Sequence, residues 1–373
     1  MSLTKLDIDR YITTLRTNSK EFNNISDVQL SSMLENVISN INEVAYFWST
    51  VCSDNKGTTK TPAEGEEWLG GPFAAVLATQ YYIETLQSND DLSLNSFNKE
   101  ENSYKVFPNK FIEKITFPFI DAKVYFNKSM SFEDINKFRG FSRRFDIDPS
   151  ITLVLGAGNF SSIPYLDVLY HLITRRSVIL LKLNPVNEYL KPVFEKVFQN
   201  FIERGYVIIT TGNIEESKYM ATHAGVNHIH LTGSDKTFEE IVYGRELNDK
   251  EKKLKNISKV NTKPITSELG NVTPFIIHPG KWSTSDIKYQ ARKIVTGKLN
   301  NNGFNCIAAQ VVVLPDGWGQ TETLIKYIKF YMNKAKDRKA YYPDSIERLN
   351  KLEKDKSYAV SYTHLRAHET DYY

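Results

Sequence analysis

Ile151-Thr152-Leu153-Val154-Leu155-Gly156-Ala157-Gly158-Asn159-Phe160-Ser161 is an apolar, β-rich run that ends abruptly in small residues. A short apolar run without alternation fits a strand buried on both faces. The glycines then turn the chain into a helical pattern near Ile163–Leu172. Outward from this stretch the same rhythm recurs. Ser177–Leu183, Val207–Thr210 and His228–Leu231 are candidate buried strands, with helical patterns at Val186–Glu203 and Ile214–Thr222 between them. Strand–helix alternation of this kind predicts an α/β fold, a parallel sheet covered on both faces.

Downstream, the charged connection Asp249–Lys259 reads as a domain boundary. Beyond it Ile265–Leu269, Val272–Ile277 and Gln310–Leu314 are strand-like. Ser283 or Ser285 caps a helix through Ile287, Ala291 and Ile294. Upstream, residues 1–87 read as helical. Asp27 is the expected cap of a helix running through Leu34, Val37, Ile38 and Ile41 to Trp48, with Cys52 buried near its end. Trp68-Leu69-Gly70-Gly71-Pro72 breaks the pattern before a helix through Val76 and Tyr82. Ser88 to Glu101 reads as a surface loop. Ile115–Phe119 and Lys123–Phe126 flank Ile120-Asp121-Ala122, which predicts a β-hairpin excursion over 112–128. There is no internal repeat.

The 373 residues suffice for two domains, 1–260 and 261–358. Hydrophobic content of 41% and charged content of 24% are those of a soluble globular protein. A net charge of +3 is too small to argue for nucleic acid or an acidic membrane surface as partner, and neither is expected. No apolar run approaches the roughly 20 residues that span a bilayer, and the first residues lack a signal peptide's apolar core. Two cysteines, Cys52 and Cys306, make no disulfide framework, so a reducing cytoplasm is the expected location.

Three islands carry chemistry. Asn300-Asn301-Asn302-Gly303-Phe304-Asn305-Cys306 sets a thiol among small and polar residues, where a turn meeting a helix start would favour the thiolate. A buried, inert cysteine is the alternative. Thr266-Ser267-Glu268-Leu269-Gly270-Asn271 ends an uncharged strand in a carboxylate, which is costly to bury without a partner or a job. A general base in apolar surroundings is one reading, a strand-end Glu bonded to backbone N–H groups the other. Leu155-Gly156-Ala157-Gly158 invites a dinucleotide fingerprint, because glycines let the backbone approach a pyrophosphate. Ser161 stands where the third glycine belongs, and Lys182-Leu183-Asn184 supplies no acidic residue for a ribose. A tight strand-to-helix turn accounts for that motif equally well. Lys182 ends a strand and can meet ribose or phosphate, or simply be solvated. Thr232-Gly233-Ser234 is an anion cradle or an ordinary turn with a Ser cap. His223, His228 and His230 lie close in sequence, but no cysteine or clear carboxylate completes a metal site, so none is expected.

Together these islands, from about Ile151 to Leu314, resemble the aldehyde dehydrogenase superfamily. Asn159 matches the family's oxyanion-hole asparagine and Lys182 its cofactor-binding lysine. Thr232-Gly233-Ser234 matches the turn beside the pyrophosphate. Glu268-Leu269-Gly270 matches the general-base motif and Gly303-Phe304-Asn305-Cys306 the nucleophile motif. The resemblance implies a cofactor domain up to about Val260, holding NAD or NADP at Leu155, Gly156, Lys182, Thr232, Gly233, Ser234, Leu269 and Gly270. An interrupted α/β catalytic domain follows. It also implies oxidation of a small-molecule aldehyde to a carboxylic acid through a Cys306 thioester, with Glu268 and Asn159, and a homo-oligomer for the full-length protein.

Asn271 replaces the family's second glycine, Gly158 an aromatic, and Pro185 the glutamate of many NAD-preferring members, which leaves NADP open. The chain ends before the family's downstream glutamate and oligomerisation strand. Val360–Thr370 resembles a translated sequencing adapter, so native sequence is expected to stop near Tyr358, with 359–373 a non-native tail and the chain as it stands inactive. The rival readings are an acyl-CoA-forming or acyl-reducing dehydrogenase on the same fold, and a non-catalytic dinucleotide binder.

Overall fold

The computed structural model describes residues 3–87, 97–108, 110–138, 148–254 and 256–354. Two long helices open the chain. Helix α1 (Lys5–Asn23) begins at Thr4, which exchanges bonds with Asp7 in a capping box. Helix α2 (Asp27–Lys56) begins the same way at Ser26 with Gln29. The cap therefore lies one residue before the expected Asp27, whose carboxylate sits in the first turn and pairs with Arg176. Gly57, at φ 68°, ends α2 in the left-handed region that glycine adopts without strain. Leu30, Leu34, Val37, Ile41 and Trp48 form its buried stripe. Trp48 lies edge-on to Tyr165 and Phe194, with ring centroids 6.2 and 5.4 Å away. Burying each such side chain contributes about 1.5–3 kcal/mol.

Helix α3 (Glu64–Trp68) runs into a π-turn, Leu69–Phe73, before α4 (Ala74–Gln87). Gly71 inside that turn is non-helical (φ −127°, ψ −110°) and Pro72 follows it, so the expected break is a kink that redirects the helix. Strands β1 (Phe97–Asn98), β2 (Ser103–Phe107) and β3 (Ala122–Tyr125) form a small antiparallel sheet in that order, with α5 (Phe111–Thr116) between β2 and β3. The hairpin expected over 112–128 is therefore corrected. Phe111, Ile112 and Ile115 recur at helical spacing, Glu113 bonds back to Lys110 N at 2.9 Å, and β3 pairs with β2. Helix α6 (Phe132–Phe138) follows.

The centre is a five-stranded parallel sheet. In chain order come β4 (Ile151–Leu155), α7 (Ile163–Thr174), β5 (Val178–Lys182), α8 (Lys191–Val197), α9 (Gln199–Glu203), β6 (Val207–Thr210), α10 (Ile214–Thr222), β7 (His228–Gly233), α11 (Asp235–Tyr243), α12 (Asp249–Lys252) and β8 (Ile265–Leu269). The strand order is β6-β5-β4-β7-β8. Every residue of β4 and β5 is buried, which is why those runs show no alternation. The single helix expected over Val186–Glu203 is three pieces. Pro185 starts a 3-10 turn with Asn187 non-helical, Pro192 opens α8, and the chain bends again at Phe198.

Strand β8 belongs to this sheet, pairing Ile229 with Ile265 and Gly233 with Leu269. A boundary at 260 therefore falls inside the sheet, and the charged connection is a surface crossover. Charge reports exposure here, whereas the backbone ladder decides membership. A second, smaller core gathers Ile277, Ile287, Ala291, Ile294 and Leu324. It is built by β9 (Thr273–Ile276), α13 (Thr284–Leu299), β10 (Ala309–Val313) and α14 (Thr321–Lys334), with β9 and β10 parallel, and α15 (Ser345–Lys354) follows. Most of the Ser88–Glu101 loop and the whole 359–373 tail lie outside the described residues. No described helix is long and apolar enough to cross a membrane.

Candidate functional site

Parallel strands bring all their carboxyl ends to one edge, where open α/β sheets bind ligands. The register sets Thr210, Lys182, Leu155, Leu231 and Ser267 side by side across β6-β5-β4-β7-β8. Glu268 stands opposite Thr232, and Leu269 opposite Gly233. The Leu155–Gly156, Lys182, Thr232–Ser234 and Glu268–Gly270 islands therefore meet at this edge.

Lys182 is not solvated. It is 7% exposed and, among the described residues, makes no side-chain hydrogen bond or ion pair. Burial lowers its pKa, against the opposing pull of Glu188 and Glu216. Gly156 N donates to Lys182 O at 3.0 Å, and a Cβ on Gly156 would meet Pro164 Cβ at 3.0 Å, so this glycine serves a tight strand-to-helix turn. At the next turn Ser234 Oγ accepts from Thr237 N at 3.1 Å and caps α11, while Thr232 Oγ1 donates to Asp167 Oδ2 at 3.0 Å. Asp235 already places a carboxylate in that first turn, paired with Lys252 at 3.0 Å. Glu268 is exposed. The apolar surroundings expected for it are absent among the described residues because β8 is an edge strand, open on its outer side.

Cys306 is exposed and in no disulfide, with Sγ 3.8 Å from Asn305 Oδ1. It lies in a turn leading into β10, so the expected helix start is not there, and among the described residues no helix begins at the thiol. The loop before it is strongly constrained. Asn301 and Asn302 both have positive φ, 52° and 57°, a region asparagine tolerates better than most residues. Asn301 Nδ2 donates to Phe304 O at 2.8 Å and to Asn159 O at 3.2 Å. The Cys306 loop is thereby tied to the Asn159 turn. Gln310 Nε2 donates to Asn271 O at 3.0 Å, tying the strand after Cys306 to the turn after Glu268. Asn159 is half-buried, and Tyr341 Oη also donates to its carbonyl, at 3.3 Å. A Cβ on Gly158 would lie 2.7 Å from Tyr342 Oη and 2.8 Å from Asn184 Cγ, which explains a glycine where an aromatic was expected.

Sequence reasoning missed the polar cluster behind this loop. Lys56 Nζ donates to Glu67 Oε2 and to Asn301 Oδ1, each at 2.9 Å. Glu66 accepts from Asn301 N at 2.7 Å and is held by Arg338 at 2.9 and 3.1 Å. Asn302 Nδ2 donates to Lys56 O at 2.9 Å and Lys339 O at 3.0 Å. The Gly70–Gly71 kink reaches the same place. A Cβ on Gly70 would meet Phe160 at 2.7 Å and one on Gly71 would meet Ser161 Oγ at 2.9 Å, while Ser162 N donates to Gly70 O at 3.1 Å. The available signal was the run of asparagines before Gly303, a composition that marks strained turns.

His228 and His230 do share a face, both beside Thr266 Oγ1 at 3.2 and 2.8 Å, and His230 reaches Asp167 at 3.3 Å. His171 lies nearby, its ring tilted against theirs with centroids 5.4 Å from His228 and 5.0 Å from His230. Burial pushes His171 down to about 2 and His228 to about 4, so both are neutral. His223 instead faces Asp9 at 3.3 Å. Among the described residues no group of three or more His, Cys, Asp or Glu is arranged to hold a metal.

Residues 171–337 match the model of the aldehyde dehydrogenase family. Over that span, a little under half of its length, the chain is similar to the aldehyde dehydrogenase family. The matched span takes in Lys182, Thr232–Ser234, Glu268 and Cys306 and starts after Asn159. The chain is similar to 4,4'-diaponeurosporen-aldehyde dehydrogenase of Staphylococcus aureus, 25% identical over 122 residues, which are 33% of this chain and 23% of that protein. Its fold resembles glyceraldehyde-3-phosphate dehydrogenase of Methanocaldococcus jannaschii complexed with NADP, at 14% identity, TM-score 0.58, covering 90% of this chain and 60% of that one. It also resembles a double mutant of betaine aldehyde dehydrogenase from Staphylococcus aureus in complex with NAD+, at 14% identity and TM-score 0.58, covering 90% and 55%. The chain thus spans under a quarter of the curated relative and little more than half of these solved chains.

Proposed function

We propose that this protein oxidises a small aldehyde to a carboxylic acid with NAD+ or NADP+ through a thioester on Cys306. The observation that carries the reading is the Asn301 amide tying the Cys306 loop to the Asn159 turn, beside the sheet edge that holds Lys182, Thr232 and Glu268. The residues at the edge fit a phosphorylated cofactor. A buried ammonium with no partner among the described residues is costly unless a ligand completes it, and Lys182 is such a group. Lys182 would hold ribose or phosphate, with the Gly156, Thr232–Ser234 and Leu269–Gly270 turns around it. When bound, NAD(P)+ accepts the hydride.

The chain's own residues do the rest. Cys306 thiolate adds to the aldehyde carbon, and the carbonyl oxygen becomes an oxyanion facing Asn159 Nδ2 and the Cys306 N–H. Loss of hydride from that adduct leaves the thioester. Glu268 then takes a proton from water as the water attacks, the C–S bond breaks, the carboxylic acid leaves and Cys306 is regenerated as the thiolate, with Glu268 passing its proton to solvent. The test is a stopped-flow burst of NAD(P)H with an aldehyde panel and both cofactors, on the full-length gene product. A burst followed by acid release supports the reading. A burst whose product appears only with added coenzyme A moves the assignment to the acylating enzyme, and cofactor binding with no burst moves it to a non-catalytic binder.

Two variants sharpen this. Asn159→Ala is expected to lower turnover by roughly 10²–10³, the cost of one oxyanion donor; near-normal turnover removes Asn159 from the site. Lys182→Met is expected to weaken cofactor binding by roughly tenfold or more, the loss of one charge-assisted bond. The same variant should raise the melting temperature, because it deletes a buried ammonium. Titration calorimetry and a thermal melt check both halves.

A further inference from the structure

We propose that Asn301 is a positioning residue for Cys306, its amide oriented by the Lys56 ammonium so that it fixes the nucleophile loop against the Asn159 turn. The inference rests on the Cys306 reading above and concerns a residue outside the groups that touch substrate.

The amide uses all its principal bonding capacity. Its oxygen accepts from Lys56 Nζ at 2.9 Å, and its nitrogen donates to Phe304 O at 2.8 Å and Asn159 O at 3.2 Å. A cation on the oxygen polarises the amide and strengthens both donations. It also fixes which way the amide faces, since a flipped amide would aim N–H groups at an ammonium. Lys56 is in turn held by Glu67 and, with Asn301, is almost fully buried, so this orientation is not screened by water. The backbone is pinned as well, with Asn301 N on Glu66 at 2.7 Å. From Asn301 the constraint passes to the thiol in short steps. Phe304 N donates to Asn301 O at 3.0 Å, and Ala308 N to Asn305 O at 2.9 Å. One side chain thereby fixes two loops that, in the proposed reaction, approach the same carbonyl from different parts of the chain.

Asn301→Asp keeps the shape and tolerates φ 52°, but replaces the donor Nδ2 by one oxygen facing two carbonyls. Asn301→Gly also tolerates that φ and removes the amide altogether. Both are compared with the wild type for the single-turnover rate of NAD(P)H formation, cofactor affinity, and hydrogen exchange of segments 157–161 and 300–307. The expected result is a rate lower by roughly tenfold to a hundredfold, as misplacement of reacting groups costs, with cofactor affinity unchanged and exchange rising together in both segments. Rates within twofold of wild type, or exchange that rises in 300–307 alone, overturn the proposal. A wild type that forms no NAD(P)H defeats the aldehyde reading instead, and joint exchange of the two segments then decides the clamp by itself.

Discussion

Cys306→Ala is expected to abolish the NAD(P)H burst and to lower turnover on the order of 10⁴-fold or more, the scale on which loss of a nucleophile is felt. Without Sγ the aldehyde carbon acquires no tetrahedral adduct, and hydride has no oxyanion to drive it off. The loss should be confined to chemistry. Cys306 is exposed in a turn, so the substitution should change stability by no more than about 0.5 kcal/mol. Cofactor affinity should stay at the wild-type value. Cys52 supplies the internal control: it is buried, and burial pushes its thiol up to about 11. Iodoacetamide at neutral pH should therefore label one thiol per wild-type chain and none in Cys306→Ala. Mass spectrometry that finds Cys52 labelled instead, or a burst surviving in the alanine variant, would remove Cys306 from the mechanism.

The parallel sheet was legible because burial on both faces writes a distinctive pattern. Ile151–Leu155 and Val207–Thr210 have the bounds read from sequence, since an unbroken apolar run followed by glycine or a polar turn leaves little choice. The start of helix α2 was legible to within one residue because its apolar stripe is long, although the helix runs on past Trp48 to Lys56. Short amphipathic runs were not. Phe111–Ile115 suits a strand or a helix over so few residues, and only pairing of β3 with β2 resolves it.

The candidate site divides along similar lines. Glu268, Cys306, Asn159 and Lys182 stood out as reactive types in uncharged or small-residue settings. What holds them did not. Lys56 sits at the end of an otherwise ordinary helix, and its partners lie 11 residues away at Glu67 and 245 away at Asn301. Local pattern carries no trace of a contact at that separation. Gly70–Gly71 was read as a helix break, whereas its glycines also let α3 and α4 approach Phe160 and Ser161. Charge misled at Asp249–Lys259 and burial at Glu268, because both depend on which strand ends the sheet.

Lys56→Met is expected to cost about 3–5 kcal/mol of folding stability, the penalty for stranding one member of a buried ion pair. Glu67 is 3% exposed and would keep its buried position without the ammonium that now bonds it at 2.9 Å. Arg338 offers no ready substitute, since its guanidinium is engaged by Glu66 at 2.9 Å. The pH dependence identifies the mechanism. Burial already holds the Glu67 carboxyl above its ordinary value of 4.5, and Lys56 is the strongest influence pulling it back. Removing Lys56 therefore raises it further. A carboxyl whose folded pKa is raised binds more protons in the folded state than in the unfolded one, so stability falls as pH rises from the unfolded pKa through the folded one. The deficit of Lys56→Met should then be smaller near pH 5, where Glu67 is increasingly protonated, and largest near pH 8. Urea unfolding at those two pH values reads it directly. Adding Glu67→Gln should recover much of the loss and flatten the pH dependence, because a neutral amide needs no counter-ion, and the double-mutant cycle isolates the pair. A deficit equal at both pH values would mean that the lost stability comes from the Asn301 and packing contacts of Lys56 rather than from an uncompensated carboxylate.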